Sequence, residues 1–229
     1  MGEIELEQKF IQKQKELLSK LDLQNKIDIT KVKNIAGVDL AYWKENDIEY
    51  AVCCIVVIDF ATKQIIDKKH SKGIIDVPYI PGCLAFREIE LVLKTVKLLE
   101  NNIDLYVFDG NGYLHPRHMG LATHAGILLD KPSIGVAKSY YKINDIDYLE
   151  PDNFDFAYNN IVIDNEIYGR VLRTHKNVKP VFLSIGNKID IDTTTTLIKE
   201  LVEKESHIPI PTRYADLMTH EMRKQYRNS

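Results

Sequence analysis

Three strand-like stretches follow one another with no helix between them, at residues 35–43, 49–59 and 63–73. Only short polar breaks separate them, around Glu45-Asn46-Asp47 and Ala61-Thr62, so the expected connections are antiparallel hairpins. The pattern then changes. A helical segment from about Gly82 to Asn101 carries Leu84, Leu91, Val92, Thr95, Val96, Leu98 and Leu99 along one stripe, with Arg87, Glu90, Lys94 and Lys97 on the opposite face. A strand-like run ends at Asp109, and a second helix is expected from Pro116, a favoured first-turn residue, to about Leu129. The apolar strand Ser133–Ala137 follows, then an irregular, Asp/Asn/Tyr-rich insertion over 144–160. Strands at 167–173 and 180–186, a helix near 191–205 and a short helix after Pro209 and Pro211 complete the chain.

Antiparallel strands leading into alternating helices and strands give an α/β fold, a mixed sheet with helices on both faces. This is the ribonuclease H-like arrangement, expected here as one domain over residues 1–229. The first eighteen residues form a charged amphipathic helix with early acids, unlike a secretory or transit signal. No apolar run reaches membrane-spanning length. The cysteines Cys53, Cys54 and Cys83 offer neither an even disulfide framework nor a CxxC pair, so a reduced, cytoplasmic chain without structural zinc is expected. The net charge of −3 argues against binding nucleic acid through bulk positive charge; such a partner would need local lysines and bound cations.

Three carboxylates sit where a core would refuse them. Asp39 interrupts the first strand, Asp109 ends the strand before a glycine-rich turn, and Glu88 falls in the middle of its helix's apolar stripe. A buried carboxylate must be paired or must bind a cation. In a sheet of this kind ligands gather at the carboxyl ends of parallel strands, where Asp109 and Lys138 lie, and the first strand neighbours the Asp109 strand. An all-oxygen cluster suits Mg²⁺ or Mn²⁺. A salt bridge to a buried Lys or Arg is the plainer alternative for Glu88.

The motifs that follow one another along the chain are Gly37-Val-Asp39, Val77-Pro-Tyr-Ile-Pro-Gly82 with Leu84-Ala-Phe-Arg-Glu88, and Asp109-Gly-Asn-Gly-Tyr-Leu-His-Pro-Arg-His-Met-Gly120. Gly135-Val-Ala-Lys-Ser139 and Pro209-Ile-Pro-Thr-Arg-Tyr-Ala-Asp216 complete the set. In this order and over this span the chain resembles the endonuclease V, or deoxyinosine 3′-endonuclease, family. The resemblance implies Mg²⁺ dependence, with Mn²⁺ as a substitute, and cleavage of the second phosphodiester bond 3′ to inosine, leaving 3′-hydroxyl and 5′-phosphate ends. It implies inosine-containing DNA as partner, with RNA as a further target, and a monomer that needs no membrane.

The same resemblance implies roles for particular residues. Asp39, Glu88 and Asp109 match the metal-binding carboxylates, and Asp216 a fourth acid at the metal's periphery. His115 would orient water or phosphate, and Lys138 would bind phosphate or assist the attacking water. Pro78, Tyr79, Ile80 and Pro81 would form a stiff wedge entering the duplex. Leu84, Gly110 and Gly120 would wall a pocket for the flipped base. From the residues alone, plainer readings stand beside these: a tight turn with Tyr79 folded into the core, a helix-entry histidine, a strand-end lysine, glycines that only serve turns. Gly126 reads as a helix-packing glycine. Two rival functions remain open: another ribonuclease H-like nuclease specific for junctions or hybrids, and a non-catalytic binder of modified nucleic acid.

Overall fold

The computed structural model describes residues 2–228. The strands are β1 (Asn34–Glu45), β2 (Ile48–Asp59), β3 (Ile65–Ile74), β4 (Leu105–Asp109), β5 (Ser133–Ala137), β6 (Ala157–Ile163), β7 (Glu166–Arg173) and β8 (Val181–Asn187). The helices are α1 (Glu3–Leu18), α2 (Ala85–Val96), α3 (Leu121–Leu129), α4 (Ile191–Leu201) and α5 (Ile210–Arg227). The strands form one sheet in the order β3-β2-β1-β4-β5-β8-β7-β6. The pairs β1/β4 and β4/β5 are parallel and the others antiparallel.

The hairpin expected after β1 closes on Asn46 and Asp47, both at positive φ, as a tight two-residue turn requires. Along β1 the side chains alternate between the two faces. Ala36 and Val38, with Leu40 and Tyr42 at the margin, join the core beneath α2 and α3, where Ile89, Val92 and Ala125 meet Phe108. Ala41 and Trp43 pack on the other side against Met218, Met222 and Tyr226 of α5. A second core joins β4, β5 and β8 to α4 through Val107, Ile134, Leu183, Leu197 and Ile198. Cys53 and Cys54 fall into cores on opposite faces. The α1 helix forms an outer layer, with Leu17 packed against Met119 and Ile127.

Four expectations need correction. The second helix begins at Leu121 rather than Pro116, because residues 115–119 wrap around the His115 ring and His118 takes a left-handed conformation (φ 53°). The stretch 144–160 is irregular only to residue 156; β6 then pairs with β7 across the turn Asp164-Asn165. The tail helix is long, eighteen residues from Ile210 to Arg227, and carries Pro211 in its first turn. The Glu88 helix is shorter at both ends than 82–101, though turn hydrogen bonds continue it to Leu99.

Gly37 lets α5 approach β1. A Cβ built there would lie 2.1 Å from the Pro211 carbonyl carbon and 2.5 Å from the Thr212 nitrogen, both backbone atoms. Gly126 serves close packing of α3, as its place in the sequence implies: a Cβ would meet the Ser133 hydroxyl at 1.9 Å. The Gly37→Ala variant should lose about 3 kcal/mol or more of stability, since overpacking against backbone has no cheap relaxation. Urea unfolding measures this; a loss below about 1 kcal/mol would mean that α5 can shift without cost.

Candidate active site

The pairing of β1 with β4 runs from Ile35↔Leu105 to Val38↔Phe108 and stops. Asp39 is the next residue of β1 and Asp109 the last of β4, so both acids lie where the two strands part company. This notch is open to both faces of the sheet. From one side α5 brings Asp216, and from the other α2 brings Glu88.

Ligand oxygens of Asp39, Asp109 and Asp216 lie within 4.8 Å of one another, the one such acidic group among the described residues. Asp216, expected at the periphery, is therefore a full member of the cluster. Burial, then the charge of Asp109, pushes the Asp39 carboxyl up to about 7. The Thr219 hydroxyl donates to Asp39 Oδ2 at 2.9 Å and partly offsets that shift. Glu88 is buried, as its place in the stripe implies, and lies outside the tight group. The Tyr42 hydroxyl donates to its Oε1 at 2.5 Å. Burial raises the Glu88 carboxyl to about 7, with Asp39 and Asp109 adding to the rise. The Lys138 ammonium pairs with Asp109 at 2.6 Å and with Asp216 at 3.1 Å. Burial works against its charge, but the two carboxylates outweigh it and raise the ammonium to about 12.

The donor set is all carboxylate oxygen, held close against like-charge repulsion with one lysine to compensate. That chemistry fits a hard divalent cation and not zinc. Asp39, Asp109 and Asp216 would hold it, with Glu88 beside them.

Next to the acids is a cavity of about 170 Å³ lined by Tyr79, Gly82, Leu84, Glu88, Asp109, Gly110, Asn111, His115, Gly120 and Tyr141, among others. A larger hollow of about 560 Å³ lies elsewhere, open and ringed by lysines and aspartates that pair with each other, such as Lys26–Asp22 and Lys188–Asp130. The small cavity is the one that shares Glu88 and Asp109 with the carboxylate centre. Tyr141 stacks on the His115 ring at 6.0 Å and 13°. Gly110 has φ 143°, a conformation that an L side chain resists. Gly120 lines the cavity, but its missing side chain is needed elsewhere: a Cβ would strike the Asn111 carbonyl oxygen at 2.3 Å.

The four residues expected as a wedge divide. Pro78, Tyr79 and Pro81 are exposed, Tyr79 at 61%, whereas Ile80 at 3% is buried and anchors the loop. Arg87, expected on the solvent face of α2, is instead covered: its side chain is 7% exposed, pairs with Glu49 at 2.6 Å and lies under the rings of Tyr42 and Tyr79. His115, expected to act on water or phosphate, has both ring nitrogens engaged by backbone. Nδ1 accepts from the Arg117 and Met119 amides at 3.1 and 3.3 Å, so Nε2 carries the proton and donates to the Gly82 carbonyl at 3.0 Å. Burial, then the charge of Arg117, holds the ring neutral, with its pKa lowered to about 4. The geometry makes His115 a wall of the cavity. Sequence reasoning missed Tyr42 and Thr219. Thr219 lies one helical turn after Asp216, a spacing that could have flagged it; Tyr42 reads as core and gave no signal.

The family model for endonuclease V matches residues 15–217. This chain belongs to the endonuclease V family. It is 55% identical over 223 residues to endonuclease V of Bacillus thuringiensis subsp. konkukian, covering 97% of this chain and 95% of that one. The crystal structure of the Bacillus subtilis endonuclease V superposes with a TM-score of 0.95 at 49% identity, covering 100% of this chain and 95% of that one. The Ciona intestinalis endonuclease V, solved with a 24-mer DNA containing an inosine followed by a ribo-adenosine, gives a TM-score of 0.87 at 28% identity over 97% and 99% of the two chains. The fold is ribonuclease H-like and the protein is a nuclease, which removes the non-catalytic binder from the alternatives.

Tyr42→Phe tests the support of Glu88. The Glu88 carboxyl is raised above its value of 4.5 in an unfolded chain, so the extra cost of burying it as an anion is absent below 4.5 and grows as pH rises through about 7. Without the tyrosine hydroxyl the ionised form loses its donor. In the presence of chelator, Tyr42→Phe should match the parent near pH 5 and fall behind by about 1–3 kcal/mol at pH 8. Equal losses at both pH values in urea titrations would show that the hydroxyl does not bond an ionised Glu88.

Proposed function

We propose that this chain is a divalent-cation-dependent endonuclease that recognises deoxyinosine and hydrolyses the second phosphodiester bond 3′ to it, leaving 3′-hydroxyl and 5′-phosphate ends. The observation that carries the reading is the small cavity lined by Asp109 of the carboxylate cluster and by the neighbouring Glu88. A base held in it lies at a fixed distance from the reacting phosphate, so recognition sets the bond that is cut. The inosine-containing DNA bound by the Ciona intestinalis relative supports the choice of base.

Mg²⁺, or Mn²⁺ in its place, would be held by Asp39, Asp109 and Asp216, and when bound supplies Lewis-acid polarisation of the phosphate and acidification of water. Glu88 lies beside that centre as a further ligand or a water-orienting base, and its raised pKa suits it to hold a proton near neutrality. Lys138 faces the cluster from the end of β5, placed to neutralise a phosphate oxygen. Tyr79, exposed on a loop stiffened by Pro78 and Pro81, fills the gap left by an extruded base by stacking. Leu84 and Gly110 leave room in the cavity for a flat ring, and Gly120 lines it while its missing side chain makes way for the Asn111 carbonyl. The ribo-adenosine that follows inosine in the relative's complex favours inosine-containing RNA as a second substrate.

End-labelled strands with the inosine moved one nucleotide at a time should give cuts that move with it; cuts independent of inosine would refute the pocket. Asp39→Asn and Asp109→Asn should reduce nicking to the level seen in excess chelator, and nicking retained by both would refute the metal centre. Stacking on an aromatic ring is worth about 1–3 kcal/mol, so Tyr79→Ala should lose roughly tenfold or more in preference for inosine over adenine, with the Mn²⁺ titration midpoint unchanged. An unchanged preference would assign Tyr79 to the surface alone.

A further inference from the structure

The α1 helix is amphipathic, yet the polar Gln14 in it is buried to 1% exposure while Lys13, Lys15 and Glu16 stand in solvent. A buried amide needs partners for both ends. Gln14 Nε2 donates to the Gly82 carbonyl at 2.9 Å, and its Oε1 accepts from Arg117 Nε at 2.5 Å. A guanidinium nitrogen of Arg117 reaches the same Gly82 oxygen at 2.7 Å, and His115 Nε2 reaches it at 3.0 Å. One carbonyl thus receives three donors, from α1 and from the 115–117 turn.

Gly82 is the hinge of the wedge loop. It has φ 73°, follows Pro81 directly, and a Cβ on it would lie 2.7 Å from the Arg117 guanidinium. Two residues later comes Leu84 at the cavity rim, then α2 with Glu88. Whatever fixes the Gly82 carbonyl therefore fixes both the origin of the Tyr79 loop and one wall of the cavity. A second contact holds α1 without touching this node: Phe10 stacks on Phe86 at 4.1 Å and 6°.

We infer that Gln14 is a positioning residue for base recognition: through the Gly82 carbonyl and Arg117 it sets the wedge loop against the base cavity, so the outer helix is part of the specificity apparatus. This rests on the inosine reading above for its substrate. The loop's immobilisation can be measured without DNA.

Three variants of the full chain decide it. Gln14→Leu keeps bulk and loses both hydrogen bonds; Gln14→Glu keeps the acceptor for Arg117 and loses the donor to Gly82; Phe10→Leu loosens α1 elsewhere. In the free protein, exchange of the Cys83 amide, which is bonded to the Ile80 carbonyl at 2.9 Å, should quicken about tenfold or more in Gln14→Leu, the worth of a buried hydrogen bond, and less in Gln14→Glu. It should stay at the parent rate in Phe10→Leu, even where that variant lowers the thermal midpoint as much. With Mn²⁺ and an inosine duplex, Gln14→Leu should raise KM about five- to tenfold and reduce the preference for inosine over adenine, with kcat within about twofold of the parent. If Gln14→Leu does not fold, Gln14→Glu must show both effects at reduced size. Parental exchange and preference in the folded Gln14 variants would overturn the inference, as would a Phe10→Leu variant that matched them. A parent without inosine preference would instead refute the proposed function, and the exchange rates would still judge the node.

Discussion

Carboxylates crowd at a break in the sheet, and much of the structure can be understood as the means of holding them there. Asp39, Asp109 and Asp216 repel one another at separations under 4.8 Å, and burial of Asp39 sharpens the repulsion. A flexible chain would move them apart. Here each is fixed by an element anchored elsewhere: β1 is paired along its length with β2, β4 is buried between β1 and β5, and α5 lies on β1 with its backbone against Gly37. A divalent cation held there would relieve that repulsion.

The anchors are mostly backbone contacts made possible by missing side chains. Gly37 admits α5, Gly120 admits the Asp109 turn, and Gly135 lets the same turn lie on β5, where a Cβ would be 2.5 Å from the Gly110 carbonyl oxygen. These contacts do not depend on side-chain rotamers and leave little play. The cavity inherits that rigidity, because its walls are the same turn and the same helix ends.

Seven of the eight strands, the hairpins joining β1, β2 and β3, and the burial of Glu88 were legible in the sequence because period and turn chemistry act locally. Asp39 and Asp109 were legible for the same reason, as charges inside apolar runs. The helix expected from Pro116 failed because a local side-chain acceptor, the His115 ring, takes up amide groups two and four residues on that a helix would use. The β6 strand was hidden by its composition, though Asp164-Asn165 is a two-residue hairpin signal. The place of Asp216 beside Asp39 and Asp109 was not legible, because it comes from a helix docking across the sheet, which no local pattern encodes. The covered position of Arg87 and the inward turn of Ile80 have the same origin: neighbours far away in sequence decide which side of a short element faces water.

The carboxylate centre takes its acids from residues 39, 88, 109 and 216, and the last comes from a helix that must settle on a strand made near the beginning of the chain. During synthesis the first three acids are available long before the fourth. A ribosome-bound chain that has not yet extruded residue 216 carries the small cavity's walls but only part of the acid cluster. Order of synthesis thus delays completion of the acid cluster until almost all of the described fold can form around it.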